Sequence, residues 1–152
     1  MRATYALSQS LVPINEATSL SLVVRFGKDE AKDKDDAAPR RSLNLSLVLD
    51  RSGSMGGTPL RQAIKSAKAL VDELTDKDRL SVVIFDDHIK TLVDPDYVTD
   101  KKAIKAAIDK VHAGGTTNLC GGWQEGGKHV QKHFSQQLVN RVLLLTDGHA
   151  NV

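Results

Sequence analysis

The sequence predicts an α/β fold with a mostly parallel sheet flanked by helices, and three observations carry that prediction. From Leu43 onward, strand-like apolar runs alternate with segments of helical spacing, the pattern of strands joined by helical crossovers. Two runs, Leu45-Ser46-Leu47-Val48-Leu49 and Val142-Leu143-Leu144-Leu145-Thr146, are nearly continuous in apolar residues, as buried strands are. Each leads into an aspartate, Asp50 or Asp147. In open α/β sheets, ligands collect at the carboxyl ends of the strands.

Two β-like runs, Ala6 to Val12 and Ser19 to Phe26, precede this region, with Pro13-Ile14-Asn15-Glu16 as the turn between them. Lys28 to Arg41 is almost wholly charged and cannot bury enough apolar surface to offset its ordering entropy, so a mobile loop is expected. Residues 1–42 therefore read as an N-terminal β extension containing the charged loop 28–41, and residues 43–152 as the α/β domain. In that domain Leu43 to Leu49 is the first strand. Thr58 is the expected N-cap of a helix with Pro59 at its first position, and Leu60, Ile64, Ala67, Val71 and Leu74 recur at helical spacing. Asp76-Lys77-Asp78 breaks the helix, and Arg79 to Phe85 forms the next strand. A short edge strand spans Ile89 to Val93, and Asp94-Pro95-Asp96 is expected to turn the chain. Asp100 caps a helix whose apolar face is Ala103, Ile104, Ala107, Ile108 and Val111. A further helix, from about Leu119 to Phe134, leads into the strand Arg141 to Thr146.

Composition bounds the function. At 152 residues, 40% hydrophobic and 26% charged, the chain reads as one ordinary globular domain. The net charge of +2 is small and the two signs are interspersed, so no nucleic-acid partner is implied. Cys120 is the single cysteine, which excludes an internal disulfide. No segment approaches the roughly 18 apolar residues of a membrane span, and the N-terminus lacks an apolar signal core, so cytoplasmic residence is the default expectation.

Asp50-Arg51-Ser52-Gly53-Ser54 is the motif that carries chemistry. Asp-x-Ser-x-Ser places three hard oxygen ligands on alternate residues of a tight turn, so that all three can face one small cation such as Mg²⁺. Gly114-Gly115-Thr116-Thr117-Asn118 is a glycine-led turn offering another hydroxyl, and Asp147-Gly148 follows the last buried strand. With these three motifs in this order, residues 43 to 151 resemble the von Willebrand factor type A (VWA) family, whose metal-ion-dependent adhesion site combines Asp-x-Ser-x-Ser with a distant Thr and a distant Asp. The resemblance implies Asp50, Ser52, Ser54, Thr117 and Asp147 as metal ligands. Thr117 is preferred to Thr116 because the family commonly reads Thr-Asn there, and the doubled Thr leaves the register open by one residue. It further implies Mg²⁺, with Mn²⁺ or Ca²⁺ as substitutes, held by neutral hydroxyls and by aspartates that often act through coordinated water. An ion held this way stays electrophilic and takes a Glu or Asp from a partner protein at its open position. The expected function is thus Mg²⁺-dependent protein binding. The VWA fold normally continues beyond the strand ending in Asp147, so the resemblance also implies that the usual C-terminal elements are missing, and that the chain self-associates or is a fragment.

Catalytic alternatives use the same residues. A P-loop needs a Lys that Gly53 to Thr58 lacks, and a nucleophile elbow needs Gly where Ser52 stands. Ser54, Asp147 and His149 follow the hydrolase chain order, but an Asp and a His two residues apart cannot easily place the His between Ser and Asp. A Mg²⁺-dependent phosphotransferase using Asp50 as nucleophile lacks its usual second acid, because Ser52 stands there. These remain the alternative to a binding module, and no enzyme activity is expected. His129 and His133, spaced i, i+4, are read as a solvated basic helix face. Cys120 is read as a small buried hydrophobe and Trp123 as a core anchor whose neighbouring glycines admit close helix–sheet approach. Asp86 and Asp87 follow a buried strand and could form an outer shell or a solvated turn, and the turn is the favoured reading.

Overall fold

The computed structural model describes residues 2–7, 22–27 and 40–148. Its contacts divide the chain into two compact units, Met1–Arg40 and Arg41–Val152.

In the first unit β1 (Arg2–Leu7) pairs antiparallel with β2 (Leu22–Gly27), in register from Arg2 opposite Gly27 to Leu7 opposite Leu22. The first strand therefore begins earlier than its apolar content implied, and residues 8–12 of the expected run lie outside the described residues. Cross-strand pairing with β2 selects the Thr4-Tyr5 segment, and both residue types favour strands. Residues 8–21 and 28–39, which include the expected turn and most of the charged loop, fall outside the described residues. Arg41, at the end of that loop, is anchored. Its guanidinium donates to the carbonyls of Gln136, Gln137 (3.1 Å) and Leu138 (3.0 Å).

The second unit holds a four-stranded sheet in the order β5-β4-β3-β6. β3 (Leu43–Asp50) pairs in parallel with β4 (Arg79–Phe85) and with β6 (Val139–Leu145), while β5 (Ile89–Tyr97) is antiparallel to β4. Alternation along β3 sorts its side chains. Leu45, Leu47 and Leu49 pack with α1 (Thr58–Glu73) and α2 (Lys101–Ile108) through Leu60, Ala67, Val71 and Ile108, whereas Val48 joins Val83, Phe85 and Leu119 beneath α3 (Leu119–Lys132). Helices thus cover both faces, which is why β3 and β4 are apolar almost throughout.

α3 comes close to the sheet through two glycines. A Cβ on Gly122 would lie 2.6 Å from Phe85 Cδ1, and one on Gly126 only 2.4 Å from Val48 Cγ2. Gly122, Gly126, His129 and His133 form one stripe at i, i+4, i+7 and i+11, and that stripe faces inward. His129, expected on a solvated face, accordingly keeps only 12% of its side chain exposed, with Nε2 3.4 Å from Thr91 Oγ1 and 3.5 Å from Glu125 Oε1. Trp123, one step round the helix from Gly122, is 48% exposed rather than a core anchor, and Cys120 is exposed rather than buried.

Two boundaries also differ from the sequence reading. The N-cap of α1 is Gly57, whose φ of 83° suits glycine, and Thr58 is the first helical residue, with its hydroxyl accepting from Arg61 Nη2 at 2.8 Å. β5 runs through Asp94-Pro95-Asp96 instead of turning there. An edge strand tolerates a proline, and the register against β4 shifts between Leu80 and Val83 to accommodate it. Asp100 caps α2 as expected, accepting from the Ala103 N–H at 2.8 Å. Asn118 caps α3, accepting from the Gly121 N–H at 3.0 Å.

Candidate metal centre

The parallel register delivers the ends of three strands to one edge. Asp50 closes β3 opposite Phe85 of β4, and Leu49 lies opposite Leu145 of β6, so Asp86 and Thr146 are the next residues out on either side of Asp50.

Asp50 is fully buried and Ser52 is 1% exposed. The Asp50 carboxylate accepts from the Ser52 N–H at 2.8 Å through one oxygen and from the Thr146 hydroxyl at 2.7 Å through the other. That first bond closes an Asx turn, which directs Ser52 and Ser54 to the same side. Their hydroxyl oxygens lie 3.2 Å apart, Ser54 on the exposed surface and Ser52 beneath it. Gly53 to Met55 completes the turn as a single 3₁₀ segment ahead of α1. Among the described residues no Lys or Arg pairs with Asp50, so its partners are neutral donors.

The loop from Gly114 to Asn118 docks against this turn. Gly114 N–H donates to the Arg51 carbonyl (2.8 Å), Gly53 N–H to the Gly115 carbonyl (2.9 Å), and Asn118 N–H to the Asp86 carbonyl (2.7 Å). Thr117 is half-buried in the docked loop while Thr116 is exposed. Asp147, also half-buried, follows Thr146 at the tip of β6, where the Gly148 N–H donates to the Thr146 hydroxyl at 3.1 Å. The five residues singled out in the sequence thus stand on three neighbouring segments at the carboxyl edge. His149 lies outside the described residues.

Two residues of this edge, Thr146 and Arg51, escaped the sequence reading, and a third, Asp86, was favoured there as a solvated turn over an outer shell. Thr146 orients Asp50, and its signal was its place directly before Asp147 on a strand parallel to β3. Asp86 is 2% exposed, not part of a solvated turn, because Arg51 Nη2 meets its Oδ2 at 2.7 Å. The usable signal for this pair was that Asp86 ends the strand next to the one that Asp50 ends. Asp87 does remain in solvent. Its own backbone N–H, and then His88, hold its carboxyl below the usual carboxylate range. Asp86, Asp87 and His88 are also close enough to share an ion, but Asp86 is already engaged by Arg51.

Buried carboxylate, paired hydroxyls and a second carboxylate close by are hard oxygen donors, the set that Mg²⁺, Mn²⁺ and Ca²⁺ accept.

Comparisons with known proteins agree with this architecture. Residues 44–152 match the model of the von Willebrand factor type A domain. The protein sll0103 of Synechocystis sp. is 40% identical over 118 residues, covering 78% of this chain and 28% of its own length. YfbK of Escherichia coli is 32% identical over 151 residues, covering 97% of this chain and 25% of its own. The chain therefore spans about a quarter of the length of these curated relatives. Among solved structures, proximal thread matrix protein 1 from the mussel byssus, with a zinc-occupied MIDAS motif, superposes with a TM-score of 0.62 at 21% identity, covering 73% of this chain and 32% of that one. With the matched region spanning every strand of the four-stranded sheet and all three helices, the chain belongs to the von Willebrand factor type A domain family.

Proposed function

We propose that this domain binds one divalent cation, Mg²⁺ with Mn²⁺ or Ca²⁺ as substitutes, and through it a Glu or Asp side chain of a partner protein. Ser52, Ser54 and Thr117 supply hydroxyl ligands, and Asp50 and Asp147 act directly or through water. The observation that carries this reading is the buried Asp50 carboxylate, held by neutral donors beside two hydroxyls 3.2 Å apart. A buried carboxylate without a cationic side chain is costly, and a bound cation removes that cost. VWA domains are typically protein–protein interaction modules, and the mussel structure with zinc in the corresponding motif supports a metal at this edge. Mg²⁺ bound by few charged ligands keeps open positions for water or an incoming carboxylate.

The catalytic alternative fits the same atoms less well. Asp50 is fully buried, so neither oxygen is open to in-line approach by a group as large as a phosphoryl, whereas the lone pair that each oxygen keeps beside its one hydrogen bond can still face a small cation or its water. Among the described residues, the hydrogen-bond partner of the Ser54 hydroxyl is the Ser52 hydroxyl, not a histidine that could take its proton.

Titration calorimetry with MnCl₂ and MgCl₂ tests the reading, with Asp50→Asn as the comparison. One site in the wild type that is lost in the variant is the expected result. An absence of heat and of thermal stabilisation in millimolar metal would overturn it.

A further inference from the structure

The loop carrying Thr117 hangs from two residues that are themselves joined. Its first residue, Gly114, donates its N–H to the carbonyl of Arg51 at 2.8 Å, and its last, Asn118, donates to the carbonyl of Asp86 at 2.7 Å. The side chains of Arg51 and Asp86 form an ion pair of 2.7 Å, with 28% and 3% of each exposed. The other Asp86 oxygen accepts the His88 N–H at 2.8 Å, and the Arg51 N–H donates to the Phe85 carbonyl at 2.9 Å, so both residues are also fixed to the β4 end. The loop backbone lies directly on the pair. A Cβ on Gly114 would stand 2.6 Å from Asp86 Oδ2 and 3.7 Å from Arg51 Nη1, which explains a glycine there.

Such a pair is poorly explained by stability. Partly buried ion pairs gain little net free energy after desolvation, and among the described residues the buried Arg51 Nε has no hydrogen-bond partner, which adds a cost. What the pair supplies is position. We propose that Arg51 and Asp86 are positioning residues that act as one unit, setting the distance between the Thr117 loop and the Ser52–Ser54 turn and thereby the cation affinity, without touching the ion. The affinity half of this inference rests on the metal-binding reading above.

Two measurements on the full chain test it, using Arg51→Met, Asp86→Asn, Arg51→Lys and Thr117→Ala. In metal-free protein, amide exchange at Gly114 and Asn118 should accelerate about tenfold or more in Arg51→Met and Asp86→Asn, with partial protection kept in Arg51→Lys and no change at Asp78. In calorimetry with Mn²⁺, each disrupting variant should weaken binding about 10- to 100-fold, as supporting partners of metal ligands do. The double variant should be no worse than either single one, and Asp86→Asn should add nothing in the Thr117→Ala background. Unchanged exchange at both amides, or a loss of affinity that is the same with and without Thr117, overturns the proposal. If Arg51→Met fails to fold, Arg51→Lys and Asp86→Asn carry the same comparisons. A wild type that binds no Mn²⁺ overturns the metal reading and the affinity half with it, and the exchange measurement then decides the clamp alone.

Discussion

Asp50 and Asp78 are both fully buried carboxylates, at opposite ends of the same sheet, and they differ in what surrounds them. At the amino end, Asp78 accepts from the Leu43 N–H (2.8 Å), the Thr75 N–H (2.7 Å) and the Thr75 hydroxyl (2.9 Å), while its own carbonyl takes the Val98 N–H at 3.0 Å. It ties the start of β3 to the turn after α1. At the carboxyl end, Asp50 accepts one N–H and one hydroxyl, with two further hydroxyls beside it. A backbone N–H can only donate, so the Leu43 and Thr75 N–H groups on Asp78 have nothing to offer a cation. A hydroxyl has lone pairs to turn toward one. Burial alone does not separate a structural carboxylate from a functional one; the donor atoms around it do.

The strongest way to break this comparison is Asp78→Ala, which leaves the part-buried N–H groups of Leu43 and Thr75 without their acceptor. It should cost about 3 kcal/mol in urea denaturation and leave Mn²⁺ affinity of the folded protein unchanged. Asp50→Asn should show the converse, with Mn²⁺ binding weakened at least about hundredfold and metal-free stability altered by about 1 kcal/mol or less. Equal stability losses in the two variants would erase the distinction. Thr146→Val sharpens it. This near-isosteric change removes the donor to Asp50 Oδ2, and calorimetry should show binding about tenfold weaker with little change in melting temperature.

A half-buried surface carboxylate supplies the lower limit. The Lys128 ammonium, hydrogen-bonded to Glu125 at 2.9 Å, holds the Glu125 carboxyl below its ordinary 4.5 against a smaller opposing effect of burial. A depressed folded-state pKa means that the contribution is present above the unfolded value and is lost as pH falls through the folded one. Glu125→Gln should therefore cost no more than a few tenths of a kcal/mol at neutral pH, and less as the pH is lowered through the folded-state value, by urea denaturation across that range.

Much of the architecture was legible in the chain because it follows from local periodicity. β3, β4 and the inward face of α1 are written as apolar spacing, and Asp100 capped its helix because a carboxylate before an amphipathic run satisfies an orphan N–H wherever the helix is placed. The Asp50-Ser52-Ser54 turn was legible for the same reason, since an Asx turn closes within its own residues. Tertiary structure decided what depended on a partner distant in sequence. Pro95 stayed in a strand because β5 is an edge, a fact about sheet order. Asp86 became buried because Arg51, 35 positions earlier, came to meet it. Trp123 was turned outward and His129 inward because Gly122 and Gly126 let the sheet choose which face of α3 to accept. Local spacing specifies which residues share a face, but packing specifies which face is covered, because burial is an energy of surfaces that meet only in the folded chain.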